Sequence, residues 1–440
     1  MSLKFVLNKM KANFWILPAL YGICFFILAI LTMQLDRFVT TESGLMNWLP
    51  AVLFTDKELA QTILSAISTS LLTMTTITFS SVLVVETTFL AQYSPRTLQN
   101  FNAESKIQHG LGTFIGGYVY ALILLIQVRE NEPGNVFIIP SFAIMVTFVC
   151  LGMFVFLIHH VTEWIKVGNL ISYITKETLY SVDKHKSKMG ASPCTSSKYS
   201  DLQLESKKAN EVRSKDQGYI QYIELEKLID FSVENNLIIK FEKIPGDYVD
   251  VDTPLVSVWN SNESFNQHLL DFIFLTPDQE SIEDVQLGIQ KLAEIALRAI
   301  APGKNDPETA INCIQQLGQI LTKIANIEPE NPYYCDEDGN LRVILEQPSF
   351  SDYLYGSFYQ IRHYGRADVS VMVSILKALS LVAETNGQKI KNTVWEFSTY
   401  IMEGLKAEQW LSLDKKLLNT HWQGLSKACN KEDEANSMLL

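Results

Sequence analysis

Six hydroxyl side chains, Thr62, Ser65, Thr69, Thr73, Thr76 and Ser80, recur three or four residues apart inside an apolar stretch. That spacing puts them on one face of a helix. Leu64, Ile67, Leu71, Met74 and Ile77 fall on the opposite side, and no charge occurs from Leu59 until Glu86. Hydroxyls inside a membrane serve two kinds of chemistry. They bond their own helix at i−4 and let neighbouring helices approach closely, or they line a wet path for an ion or solute. The low cost of burying Ser and Thr favours packing. Glu86 favours water, because a carboxylate near a membrane end must be paired, protonated or solvated.

A second set, Ser94, Arg96, His159 and His160, falls where membrane segments meet water. Adjacent histidines on a helix point about 100° apart, which makes a poor chelate. They read as interfacial polar residues; the sharper reading is a proton-sensitive site beside Glu163 or Glu86. A third set is Arg298, Asn305, Asp306, Arg362 and Tyr364, polar residues within apolar helical segments or at their breaks. Separately they are caps and core ion pairs; gathered, they would hold a small ligand.

Other chemistry is excluded by spacing. The run Ala301-Pro302-Gly303-Lys304-Asn305-Asp306 has the wrong glycine spacing for a phosphate loop and no strand before it. Asp336-Glu337-Asp338-Gly339-Asn340 lacks the rest of a calcium loop and reads as a hairpin turn into a strand over 341–346. There is no nucleophile with an adjacent base motif and no cluster of metal ligands. The expectation is therefore no enzyme, no cofactor and no metal. Six scattered cysteines (Cys24, Cys150, Cys194, Cys313, Cys335 and Cys429) read as reduced thiols.

The elements that must position these residues come from charge and hydropathy. Of 36 basic and 48 acidic residues, residues 1–160 hold eight of each, so the remainder carries the whole net charge of −12. An acidic soluble half excludes nucleic acid as a partner. The first half reads as an α-helical membrane domain over 1–180, with spans near 13–33, 60–90, 110–128 and 136–158. Residues 35–58 form a loop, 96–108 a short surface helix and 131–135 a tight turn. Gly112-x-x-x-Gly116 in the third span has the dimerisation spacing. Basic residues near the span ends put both termini on the cytoplasmic side.

Beyond a polar linker over 181–217, the chain reads as a cytoplasmic α+β domain. Residues 218–279 form a small β-rich subdomain. Its turn–strand rhythm through Pro245-Gly246-Asp247 is that of half a biotinyl-type barrel, without a lysine for a cofactor. Residues 280–429 are helical, broken at Pro302-Gly303, with Asp306 capping the next helix and Pro307 at its first position. Further helices span 350–362, 368–384, 390–405 and 414–428. Residues 430–440 are expected to fray.

Several runs together carry a resemblance. They are Gln92-Tyr93-Ser94-Pro95-Arg96 with Leu98 and Asn100-Phe101, Leu111-Gly112-Thr113-Phe114, His159-His160, and Pro245-Gly246-Asp247-Tyr248-Val249. The most specific is Gly288-Ile289 with Ala296-Leu297-Arg298-Ala299, then Pro302-Gly303, Asn305-Asp306-Pro307 and Thr309-Ala310; Arg362 with Tyr364-Gly365 completes the set. The chain thereby resembles, over nearly its whole length, a bacterial inner-membrane family catalogued as a predicted membrane protein with a domain of unknown function. Lys304 departs from an apolar residue usual in that family, and Asp252 from a glycine. The resemblance implies four spans, a cytoplasmic C-terminal region and a bacterial inner-membrane location, and no established activity. The function expected is an oligomeric channel-like or transport protein with a hydroxyl-lined second span and a cytoplasmic assembly or gating domain. The alternative is a membrane-anchored scaffold or sensor whose cytoplasmic domain binds a protein or small ligand. The partners expected are the lipid bilayer and further copies of the chain.

Overall fold

Long apolar runs dictate long helices. The computed structural model describes residues 15–41, 50–92, 105–130, 137–164, 166–188, 209–260, 266–277, 285–327, 332–406 and 408–440. Two compact units divide between Asn169 and Leu170.

The first unit contains α1 (Ile16–Thr41), α2 (Lys57–Gln92), α3 (Ser105–Glu130) and α4 (Ile139–Trp164). All four include a stretch long and apolar enough to cross a membrane. Of these, α3 is the centre, packed against α1, α2 and α4. Its glycines explain why. A Cβ at Gly112 would lie 2.9 Å from Tyr21, and one at Gly116 only 2.5 Å from Phe25. The glycine spacing expected to join two chains is thus used inside this one, seating two aromatic rings of α1 that are four residues apart. Polar links reinforce the same pairing. Tyr21 Oη and His109 Nδ1 lie 2.8 Å apart, and Thr32 Oγ1 and Tyr120 Oη 3.1 Å.

Helix α1 continues to Thr41, although a loop is expected from residue 35. The reason is Asp36, whose charge reads as a helix end but is satisfied by another element. The surface helix expected over 96–108 falls outside the described residues up to 104, and Ser105–Gln108 belong to α3. The turn over 131–135 lies wholly outside them.

The second unit starts within α5 (Val167–Lys188). The boundary expected at 180 is displaced because Leu170, Ile171, Ile174 and Val182 on that helix are buried. Thr178 also approaches Gly288 so closely that a Cβ there would meet its hydroxyl at 2.0 Å. The expected linker over 181–217 is helical to Lys188 and becomes strand at Asn210, while 189–208 lie outside the described residues.

The β-rich piece is two open sheets, which corrects the expectation of a barrel-like fold. Its elements are β1 (Asn210–Arg213), β2 (Gly218–Ile223), α6 (Leu225–Glu234), β3 (Ile238–Phe241), β4 (Tyr248–Val249), β5 (Pro254–Trp259) and β6 (Ile273–Thr276). Two later strands, β7 (Tyr333–Cys335) and β8 (Leu341–Ile344), join them. The orders are β1-β5-β3-β8-β7 and β4-β2-β6. Parallel pairing of β3 with β8 extends one sheet with strands from far along the chain, so β3 is unavailable to close a barrel. Leu228, Ile239, Phe241, Val256, Val258 and Val343 form the shared core.

The rest is helical: α7 (Val285–Ala299), α8 (Pro307–Ala325), α9 (Phe350–Gly365), α10 (Val369–Glu384), α11 (Gln388–Lys406) and α12 (Ser412–Cys429). Asp306 caps α8, accepting the Thr309 N–H at 3.2 Å, with Pro307 in the first turn as expected. The Asp336–Asn340 turn also forms, with Gly339 at φ +79°. The tail over 430–440, expected to fray, is packed at its start. Trp395 donates to Glu434 at 2.8 Å and Trp422 to the Ala435 carbonyl at 3.2 Å, so two buried indoles pin the turn Glu432–Ala435. One cysteine expectation fails: Cys335 is disulfide-bonded. Cys24, Cys150, Cys313 and Cys429 are free thiols.

Candidate functional site: the outer face of the second span

Helix α2 has 36 residues and so runs for about 54 Å, longer than a bilayer's hydrocarbon core. Leu64, Ile67 and Leu71 on one side are buried, and Leu71 lies against Gly117 of α3. Ile77, expected on that side, is exposed. All six stripe hydroxyls, Thr62, Ser65, Thr69, Thr73, Thr76 and Ser80, are exposed on the other side. Among the described residues no helix covers the stripe, so of the packing reading the i−4 bonds are seen within one chain and the covering helix is not. In lipid an apolar side chain gains nothing from leaving acyl tails, so the covered side is set by close packing, as where Leu71 meets Gly117 of α3. The hydroxyls also need no partner helix. Thr62 donates to the Glu58 carbonyl at 2.8 Å, Thr69 to Ser65 at 2.9 Å, Thr73 to Thr69 at 2.8 Å and Thr76 to Leu72 at 2.9 Å. Thr78, on the covered side, is the contrast: its buried hydroxyl has no hydrogen-bond partner among the described residues.

At the start of the stripe Glu58, Gln61, Thr62, Ser65, Ala66, Thr69 and Ser70 form one open, shallow polar surface on a single helix face. Glu86, near the other end, is half-buried. Helix α2 also exposes Leu72, Ile77, Phe79, Leu83 and Val84, so its outward surface mixes hydroxyls with large apolar groups. The outward faces of α1 and α4 carry few hydroxyls. They expose Leu20, Ile23, Phe26, Leu31, Met145, Phe148, Val149 and Val155, the large apolar groups suited to acyl chains.

Of the other expected sets, Ser94 and Arg96 lie outside the described residues. His159 is exposed, and His160 is half-buried with its ring stacked on Phe156 at 5.9 Å. Glu163 is held by Lys166 and by Asn169 Nδ2 at 3.1 Å. Among the described residues no group of three His, Cys, Asp or Glu could hold a metal ion. Asp306 is taken up as a cap and Asn305 by a turn at φ +48°. Arg362 lies 4.4 Å from the Tyr400 ring centre. Tyr364 is exposed beside His363, and Arg298 is half-buried in the last turn of α7.

Two features escape sequence reasoning. Asp36, only 5% exposed, accepts the Ile138 N–H at 2.8 Å and so caps α4 from the end of α1. The available signal is the run Phe137-Ile138-Ile139-Pro140, a helix start with no capping side chain of its own. Nearby, Thr55 and Phe137 exchange backbone hydrogen bonds of 2.9 and 3.0 Å, and Ser141 donates to the Leu53 carbonyl at 2.9 Å. The second is a groove of about 650 Å³ in the second unit. Asn326, Gln347, Ser349, Tyr353, Asn386 and Lys389 supply its polar groups, and Val182, Val285, Ile324, Ile327, Phe350 and Ile390 its apolar ones.

A family profile described as "Predicted membrane protein (DUF2254)" matches residues 11–380. An uncharacterised protein of Mycobacterium tuberculosis is 26% identical over 341 residues, covering 74% of this chain and 64% of the relative. An uncharacterised protein of Mycobacterium bovis is 25% identical with the same coverage. The chain thus spans less than two thirds of the length of these curated relatives. No solved structure matches it.

Proposed function

We propose, from the premise that this chain belongs to the DUF2254 family of predicted membrane proteins, that it is an oligomeric channel-like or transport protein of a bacterial inner membrane. The observation that carries this is the run of exposed hydroxyls on α2, set in a surface that also exposes Leu72, Ile77, Phe79, Leu83 and Val84. In one copy α1, α2 and α4 pack against α3, so conduction along the stripe needs several copies with their α2 faces turned to a common axis. There the self-bonded hydroxyls keep their oxygen lone pairs free to replace water around a solute. The second unit is then the assembly or gating element. The test is flux into liposomes. Thr69, Thr73 and Thr76 changed together to Leu should abolish flux while leaving the protein folded; undiminished flux removes the stripe from the mechanism.

A second reading, a membrane-anchored sensor or scaffold, is favoured by the 650 Å³ groove, whose size suits a small ligand. It requires α2 to be a lipid- or protein-facing helix without solute contact. A ligand that raises the melting point of the wild type but not of Tyr353→Ala would support it.

Two observations bear on orientation. The bias of basic residues toward one side supports cytoplasmic termini. The disulfide at Cys335 supports an oxidising compartment for the second unit. Labelling of exposed cysteines introduced at Ser412 in intact cells, against lysed cells, decides between them.

A further inference from the structure

Helix α12 completes its inward face without its first leucines. Leu418, Trp422 and Leu425 are fully buried, whereas Leu411 is 76% exposed, Leu413 77% and Leu417 45%. Leu413 and Leu417, four residues apart, share one helix face. Leu411 stands at the N-cap and makes no side-chain cap bond, although a short polar residue is the favoured choice there. Three leucines within seven residues form a cluster, where exposed apolar residues of a soluble surface are normally scattered singly. Lys415 and Lys416 lie between them, both exposed, and neither makes an ion pair among the described residues. The nearby carboxylate of Glu408 is occupied by Arg366 at 3.0 Å.

We infer that the start of α12, through Leu411, Leu413 and Leu417 with Lys415 and Lys416, docks on an anionic bilayer surface. Leucines beside lysines at the open end of an amphipathic helix suit the boundary between headgroups and acyl chains. The charge argument is local: Lys415 and Lys416, in no ion pair among the described residues, outnumber Asp414, the one acid of 411–417, and are drawn to anionic lipid although the chain's net charge is −12. The occupant is also always at hand, because the same chain carries four membrane spans. Tethering makes the second contact intramolecular, so a patch too weak to bind a free vesicle suffices. The cluster lies beyond the family match, which ends at residue 380, and the inference stands whether or not α2 lines a pore.

The test uses the full-length protein. Amide hydrogen exchange over 409–417 is followed in detergent, in phosphatidylcholine nanodiscs and in nanodiscs that also contain phosphatidylglycerol. The first-turn amides of a helix lack intrahelical acceptors and exchange readily. In phosphatidylglycerol discs they should slow by about tenfold relative to detergent. Leu411→Ser, Leu413→Ser and Leu417→Ser together should restore fast exchange, as should Lys415→Glu with Lys416→Glu. All five side chains are exposed, and an unchanged melting point confirms the fold. Equal exchange in all three environments overturns the inference. So does protection that survives the leucine changes, or protection in detergent that rises with protein concentration and marks a second copy.

Discussion

Asp36→Ala tests whether the end of the first span holds the start of the fourth. The carboxylate is 5% exposed and accepts the Ile138 N–H at 2.8 Å. A hydrogen bond to an ionised group contributes about 1.5–3 kcal/mol. A negative charge at a partly buried helix N-terminus contributes up to about 2 kcal/mol. These effects overlap, so their combined worth here is about 3 kcal/mol. Alanine loses both; Asp36→Asn keeps an acceptor oxygen, loses the charge and should cost about 1 kcal/mol. For a unit of this size each kcal/mol moves the melting midpoint by roughly 2–4 °C, so alanine should lower it by about 6–12 °C and asparagine by about 2–4 °C. The assay heats the detergent-solubilised protein, pulses it with maleimide and reads labelling at Cys150 by peptide mass spectrometry. Cys150 is fully buried in α4 and reports on the membrane unit alone. Cys313 is buried in the second unit, where burial pushes its thiol pKa up, and its labelling midpoint should not move. An alanine midpoint equal to wild type, or an asparagine variant as damaged as alanine, refutes the capping argument.

Gly116→Ala should cost about 1–3 kcal/mol in the Cys150 labelling assay because its Cβ would meet Phe25 at 2.5 Å, whereas Gly152→Ala, with nothing within 4 Å, should be neutral or stabilising. Asp252→Gly should stabilise the second unit by about 0.5 kcal/mol in denaturant melts. It sits at φ +65°, and its backbone bonds to Ser214 and Arg213 survive the change. Burial raises the Asp336 pKa, but the Asn340 N–H and the Arg342 guanidinium at 2.8 Å outweigh it and hold it below its ordinary value. A depressed pKa stabilises above the unfolded value of about 4 and loses that contribution as pH falls through the folded one. Asp336→Asn should therefore cost about 2 kcal/mol at neutral pH, and its gap to wild type in denaturant melts should close as pH falls below the ordinary carboxylate value of about 4.

The four spans were legible because hydropathy over a long window is a strong signal, and their ends less so. Sequence put the first span at 13–33; the helix runs to Thr41, since Asp36 is satisfied by a segment about a hundred residues away that no local pattern reveals. Asp306 with Pro307, the hairpin at Asp336–Asn340 and the later helices were read correctly because their determinants are local. Periodicity grouped Thr62 through Ser80 on one face but could not say which face neighbours would cover. That depends on the glycines of α3, which accept α1 aromatics and the Leu71 side of α2. The barrel expectation failed for a related reason: the strand rhythm of 238–259 is local, while its partner at 341–344 is not. Sequence gathered Arg298, Asp306 and Arg362 by polarity, yet Asp306 and Arg362 are occupied by a cap and by an aromatic ring.

The pairing of Ile239 with Val343 and of Lys240 with Ile344 has a consequence for synthesis. When β3 leaves the ribosome its neighbour has not been made, and at about 5–20 residues per second the wait lasts on the order of ten seconds. During that interval one edge of β3 offers unmatched amides and carbonyls to any other nascent chain. The membrane helices are complete by then, so each copy waits while already anchored, crowded beside its siblings on a shared message. Chaperone demand in this protein should therefore concentrate on a single four-residue strand.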